Sequence, residues 1–191
     1  SVVDGVTTWT LSEADLPGLT VTPPANSDAD FDLSVSVTST DGTSSSTTTD
    51  QMTVDVSGVA DAPTVTATDV TGAEDSAIAL DISTGVTDAS ESITSLVIDG
   101  LPEGATLTSG TDTFTAPAGG GSVDVSGWNL DNLTVTPPAD SDVDFTLNVT
   151  STSTDGTDTA TNSGQLTVSV AADADAPTLT MGTTASGTED T

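Results

Sequence analysis

The sequence predicts an all-β protein built from tandem Greek-key β-sandwich modules of about 114 residues. Short segments rich in Thr and Val alternate apolar with polar residues, which is the period of a half-buried strand. Gly, Pro and Asp interrupt these segments at regular spacing, as turn residues do. No segment of useful length shows a helical period, and long stretches of the sequence occur twice.

The repeat divides the chain. Three segments recur 114 positions further on: residues 19–31 as 133–145, 51–54 as 165–168, and 61–63 as 175–177. A Gly-x-Glu-Asp motif at 72–75 returns at 187–190. We therefore predict that residues 1–61 are the C-terminal part of a first repeat, 62–175 a complete repeat, and 176–191 the start of a following repeat.

The complete repeat contains the strands of one sandwich. Apolar residues alternate in eight places, namely 65–70, 78–82, 93–98, a hairpin through Leu107 and Phe114, 123–125, 133–135, 145–149 and 166–170. Pro137-Pro138 ends one strand, since proline cannot continue a central ladder. Asp155-Gly156 and Gly119-Gly120-Gly121 are typical of turns.

The charge excludes several classes of partner and of chemistry. The chain has 30 acidic residues and no Lys, Arg, His or Cys, so its formal net charge is −30. Binding to nucleic acid or to an anionic membrane surface needs basic side chains. Nucleophile–base catalysis and zinc binding by His or Cys are excluded as well. No apolar run approaches the ~18 residues of a membrane-spanning helix, so membrane insertion is not expected.

Acidic residues occur in alternating pairs near the predicted module ends. Asp28 and Asp30, Asp142 and Asp144, and Asp173 and Asp175 each place two carboxylates on one side of an extended segment. Ca²⁺ prefers six to eight oxygen ligands at about 2.3–2.6 Å, which such pairs could supply. The alternative is a solvated acidic surface, which is the usual role of exposed Asp.

The motifs resemble a known group of proteins. Leu-Thr-Val-Thr-Pro-Pro-Ala at 19–25 and 133–139, Thr-Asp-Gly at 40–42 and 154–156, the Gly-x-Glu-Asp motif and the Asp-Ala-Pro linkers are similar in order to immunoglobulin- and cadherin-like modules. More closely, they resemble the tandem extender repeats of giant bacterial surface adhesins that are exported by type I secretion, the repeats-in-toxin adhesins. The resemblance implies a secreted protein at the bacterial cell surface that supports cell adhesion and biofilm formation.

The resemblance also implies calcium at the joints between repeats. At the joint after the complete repeat, the implied ligands are Glu74, Asp142, Asp144, Asp173 and Asp175. At the joint before it, they are Asp28, Asp30 and Asp61 from the preceding repeat and linker, with Asp88 and Asp155 from the complete repeat. The first linker has Val59 where the second has Asp173, and Ser90 stands where a second loop Asp is expected. The joint at Asp61 is therefore expected to bind fewer calcium ions, or to bind them more weakly, than a full cadherin joint.

We predict a structural spacer rather than an enzyme, with neighbouring repeats of the same chain as its partners. Two alternatives remain open: an extracellular filament subunit completed by strand addition, and a module that binds glycan or protein. Trp9 and Trp128 are either ligand platforms or anchors in a core or loop. A glycosidase with paired carboxylates is the enzymatic alternative, but nothing in the sequence indicates a cleft.

Overall fold

The structure, a computed structural model, describes residues 2–3, 6–182, 184, 186–187 and 189. Across this part of the chain the fold is nearly all β, with only two short 3-10 turns, Glu13–Asp15 and Leu130–Asn132. The prediction of an all-β fold is confirmed.

The strands follow in chain order as β1 (Val2–Val3), β2 (Val6–Thr7), β3 (Phe31–Asp41), β4 (Ser44–Val54), β5 (Thr64–Thr68), β6 (Val70–Ala73), β7 (Ile78–Ala79), β8 (Asp81–Gly85), β9 (Ser92–Leu101), β10 (Thr106–Ser109), β11 (Asp112–Thr115), β12 (Gly121–Asp124), β13 (Thr134–Thr136), β14 (Phe145–Asp155) and β15 (Asp158–Ala171).

Two sheets form the sandwich. One has four strands in the order β11-β10-β13-β7, and the other has five in the order β12-β9-β14-β15-β6. All pairs in both sheets are antiparallel except β6 with β15, which run parallel. Strands β5 and β8 form a separate antiparallel pair.

Two predicted strands change sheets halfway. The alternation over 65–70 is divided between β5 and β6, and that over 78–82 between β7 and β8. Asp69 lies at the first change, where its carboxylate accepts a hydrogen bond from the Thr167 backbone N–H at 2.7 Å. The apolar residues on both sides of each change pack against the core. The alternation runs unbroken through the change at 78–82, whereas at 65–70 it shifts by one residue at Asp69.

The core lies between the sheets of the complete repeat. Its buried hydrophobic residues span Ile78 to Val170. On β14, the inward residues are apolar at Leu147 and Val149 and then polar, ending at the buried carboxylate of Asp155. This change from apolar to acidic along one strand defines the polar end of the sandwich.

The first repeat contributes an equivalent hairpin without its neighbours. Strands β3 and β4 pair in the register of β14 and β15, since Phe31 faces Val54 and Phe145 faces Val168. However, β14 and β15 are flanked by β9 and β6, whereas β3 and β4 form a two-stranded sheet. Trp128 packs against the core, but its counterpart Trp9 is 80% exposed. The anchoring role considered for both tryptophans therefore fits Trp128 alone.

Asp124 ties β12 to β9. Its carboxylate accepts hydrogen bonds from the Ser95 hydroxyl at 2.6 Å and from the backbone N–H groups of Ser126 and Leu96 at 2.9 and 3.3 Å. Desolvation alone would raise the pKa of Asp124, but these hydrogen bonds outweigh it and lower the pKa to about 2. The ionised carboxylate therefore contributes stability above the ordinary pKa of 3.8, and this contribution is lost as the pH falls toward 2.

We expect Asp124→Ala to lower the free energy of unfolding by about 1 kcal/mol at neutral pH, a modest value because solvent screens this exposed group. Urea unfolding measures the change. The control is Asp112→Ala, an exposed residue on β11. Equal effects of the two substitutions would contradict the role assigned to Asp124.

Candidate metal centre

Four elements bring acidic side chains together at the polar end of the sandwich. Asp61 lies in the linker before β5, and Asp88 and Glu91 lie in the loop between β8 and β9. Carboxylate oxygens of these three residues all lie within 4.8 Å of one another. Asp155 lies at the end of β14, close enough for the charges of Asp88 and Glu91 to act on its carboxylate. The charge of Asp28, from the first repeat, acts on Asp155 as well. We call these five residues the first cluster.

Asp155 is the most buried member of the first cluster, with 4% of its surface exposed. Desolvation, followed by the charges of Asp28, Asp88 and Glu91, raises its pKa above the ordinary 3.8, and the Ser90 hydroxyl offsets only part of this. The linker lies directly over it, because a Cβ atom on Gly58 would sit 2.4 Å from the Asp155 Cγ. Only glycine allows this approach.

Local hydrogen bonds shape the loop that carries Asp88 and Glu91. The Asp88 Oδ1 accepts from the backbone N–H and hydroxyl of Ser90 at 2.9 and 2.6 Å, and from the Glu91 backbone N–H at 3.1 Å. The Ser90 hydroxyl is the main cause of the lowered pKa of Asp88. Ser90 thus orients Asp88 and also lies 3.5 Å from Asp155. Its hydroxyl holds ligand candidates in place at the position where a further Asp was expected.

The linker is docked on the complete repeat. The Ser153 hydroxyl donates to the Asp61 carbonyl at 2.6 Å, and the Asn162 amide donates to the Pro63 carbonyl at 2.9 Å. The Ala60 N–H donates to the Asp158 carboxylate at 3.1 Å, and the Asp61 N–H donates to the Glu91 carboxylate. Pro63 is fully buried as well. Residues 58–63 are therefore held against the complete repeat.

A second cluster lies at residues 75, 140 and 175. Oxygens of Asp75, Asp140 and Asp175 lie within 4.8 Å of one another, and all three residues are exposed. The Asp140 charge, a hydrogen bond with Asp140 and the charge of Asp75 raise the pKa of Asp175, with burial and Glu74 adding to the shift. Asp75 and Asp140 adopt the left-handed backbone region at φ of 56° and 54°, which Asp tolerates better than most residues.

Glu74, directly after β6, joins the end of this strand to the second linker, which begins at Asp173. Its carboxylate accepts a hydrogen bond from the Asp173 backbone N–H at 2.8 Å, and its own N–H donates to the Ala171 carbonyl at 3.0 Å. Glu74 is only 8% exposed. It therefore holds the start of the linker against β6, on the side from which Asp175 reaches the second cluster.

The structure places some of the sequence-predicted residues together and separates others. Asp28, Asp61, Asp88 and Asp155 belong to the first cluster, while Asp175 belongs to the second, with Glu74 beside it. Asp142 belongs to no group of three carboxylates in the described part of the chain. Asp173 meets Glu74 through its backbone N–H.

In the pairs Asp28/Asp30 and Asp142/Asp144, the second Asp closes a loop by accepting a hydrogen bond from the backbone. Asp30 accepts a hydrogen bond from the Val56 N–H at 2.8 Å, and Asp144 accepts one from the Val170 N–H at 2.7 Å. These are counterpart positions in the two repeats, so the bond is a feature of the module. One oxygen of each carboxylate is therefore already used by the backbone.

Three members of the clusters were not predicted from the sequence: Asp75, Glu91 and Asp140. Asp140 is the counterpart of Asn26, which lines the cleft beside Asp61 and Asp155. A comparison of the two copies for oxygen-bearing side chains would have found this position. Glu91 is three residues after Asp88, on a loop whose conformation the sequence did not reveal.

Comparison of the chain with protein families, with characterised proteins and with solved structures found no match. None of the described segments forms a helix with the length and apolar character needed to cross a membrane.

The raised pKa values of Asp155 and Asp175 predict a pH dependence in metal-free buffer. The folded protein holds protons that the unfolded chain has released, so stability falls as the pH rises above 3.8. We expect the melting temperature to increase when the pH is lowered from about 7 to about 4.5. Asp155→Asn should reduce this increase, and an unchanged increase would contradict the role of Asp155.

Proposed function

We propose that the chain is a structural extender of a secreted cell-surface adhesin, and that calcium stiffens the joints between its repeats. The observation that carries this proposal is the first cluster. Its carboxylates come from the linker and from two elements of the complete repeat, so an ion held by Asp61, Asp88 and Glu91 would join the linker to that repeat. The charge of Asp28, from the first repeat, acts on Asp155 in the same cluster.

The electrostatics of the first cluster support a bound cation. Two unit charges 4 Å apart repel by roughly 4 kcal/mol at an effective dielectric constant of about 20. The first cluster brings five carboxylates together, and the protein has no Lys, Arg or His to compensate them. Protons relieve the repulsion only in acid, so a cation is the compensation available at neutral pH.

The donor set favours calcium. It consists of carboxylate, hydroxyl and backbone oxygens, the ligands of hard cations. Ligands from separate elements, with the mixed burial of Asp61, Asp88 and Glu91, suit the irregular coordination of Ca²⁺ better than the strict octahedron of Mg²⁺. Sites of extracellular modules typically bind calcium at about 10⁻⁴–10⁻³ M, which would leave them filled outside a cell and empty in the cytosol.

The adhesin setting rests on the resemblance of the repeats to extender modules. Tandem sandwiches joined by cation sites make a rod, and a rod is what a distant binding tip requires. The absence of Lys and Arg removes every site for trypsin-like proteases, which suits an exposed filament.

The docked linker defines where the rod bends when calcium is lost. Residues 58–63 keep their hydrogen bonds to Ser153, Asn162 and Asp158, and none of these three bonds involves a carboxylate of the first cluster. The linker therefore stays with the complete repeat. Bending occurs before Gly58, in the segment that follows β4.

The Glu91→Gln variant tests the first cluster. Gln keeps the shape of this buried side chain and removes its charge, so we expect calcium affinity at this site to fall about tenfold or more. Isothermal titration calorimetry with CaCl₂ measures the change. Glu103→Gln is the matched control, since Glu103 is an exposed residue outside both clusters that accepts a hydrogen bond from the Gly119 N–H in the β11–β12 turn. Equal affinities in the two variants would refute the first cluster as a calcium site.

Small-angle scattering and hydrogen exchange test the joint. With calcium we expect a larger maximum dimension than in chelator, and chelator should speed amide exchange in residues 55–57 more than in residues 60–63. Faster exchange throughout 55–63 would contradict a docked linker. An unchanged maximum dimension would contradict calcium stiffening.

A further inference from the structure

We propose that the inner face of the first repeat is a docking surface for the leading half of another repeat of this kind. We define this open face by the side chains of Leu19, Val21, Val35 and Met52. The proposal is independent of calcium, because none of these residues belongs to an acidic cluster.

The open face consists of core positions that lack a cover. Leu19, Val21, Val35 and Met52 are 59%, 49%, 54% and 56% exposed, whereas their counterparts Leu133, Val135, Val149 and Leu166 are 1%, 0%, 0% and 1% exposed. The same positions of the same repeat are thus fully buried in one copy and half exposed in the other. Their counterparts lie in both sheets, since Val135 is in β13 and Val149 in β14, so the exposed residues are core positions of both layers. Large apolar residues left exposed at core positions mark an interaction surface.

The complete repeat identifies what covers this face. Val135 pairs with Ile78 of β7 on one side and with Leu107 of β10 on the other. Val149 pairs with Ile98 of β9, and β15 pairs with β6. These neighbouring strands complete the two sheets that enclose the core, and all of them come from residues 70–109, in the leading half of the repeat.

The free edges of β3 and β4 exclude simpler occupants. In the complete repeat, the edges corresponding to β3 and β4 are paired with β9 and β6, so the occupant must supply strands on both sides as well as an apolar layer. The open face of a second copy of this chain would supply an apolar layer, but not the strands that pair with the edges of β3 and β4. The tail at 176–191, in which Leu179 and Met181 are exposed, repeats the sequence of β5 and β6 but contains no counterpart of β7, β9 or β10.

The open face differs from its counterpart at one position that affects the fit. Gly164 lets β5 approach, since a Cβ atom there would lie 3.2 Å from a Val65 methyl group. The corresponding residue of β4 is Asp50. A leading half identical to residues 62–119 therefore meets a carboxylate at this position, and Asp50→Gly should improve its fit.

The test is a chain extended at Ser1 by a second copy of residues 62–119. Val6 and Trp9 then follow the added segment at the spacing with which Val125 and Trp128 follow the original. We expect amide hydrogen exchange of β3 and β4 in metal-free buffer to slow by on the order of tenfold or more relative to the unextended chain. Asp50→Gly in the extended chain should slow it further.

The control carries Leu107→Asp in the added copy only, which places a charge in the new core and should abolish the protection. No protection in the extended chain, with or without Asp50→Gly, would overturn the proposal. Sedimentation of the unextended chain tests the competing occupant. Self-association that protects β3 and β4 would show that a second copy, rather than a leading half, covers the open face.

Discussion

Mutual repulsion among carboxylates is the constraint on which the ends of the module depend. Asp155 terminates a strand that begins in the apolar core, so it is buried where Asp61, Asp88 and Glu91 also converge. The chain has no basic side chain to neutralise them. Contact between neighbouring elements there therefore costs electrostatic free energy, which protons or cations would reduce. The raised pKa of Asp155 is the direct expression of this constraint.

The linker shows how the fold resists that repulsion. Hydroxyl and amide groups of Ser153 and Asn162 hold the backbone of residues 61–63, and Gly58 allows the chain to pass over Asp155. These contacts use backbone carbonyls and leave carboxylate oxygens available to an ion. The atoms that dock the linker thus differ from the carboxylate oxygens that could bind a cation, and both lie in the same short segment.

The two copies of the repeat show the same sequence pattern in two environments. Strand β14 buries Leu147 and Val149 between sheets, while β3 exposes Val35 in the same register. A two-stranded hairpin is marginal by itself, and three or more strands or a packed layer are needed for independent stability. The difference between the copies therefore comes from the presence of β5 to β12 around one and not around the other.

The sequence by itself determined the fold class, the repeat and the regions that carry acidic residues. These features depend on local alternation, turn residues and identity between copies, which can be read along the chain. Only the tertiary structure decided which acids meet. It showed that Asp30 and Asp144 each accept a hydrogen bond from the backbone N–H of residue 56 or 170 and that, among the described residues, neither belongs to a group of three carboxylates. It added Asp75, Glu91 and Asp140, because loop conformation and left-handed backbone at 75 and 140 bring together residues that no spacing relates. It also decided where β5 ends and β6 begins, since β5 pairs with β8 and β6 with β15, partners that lie far apart in the chain.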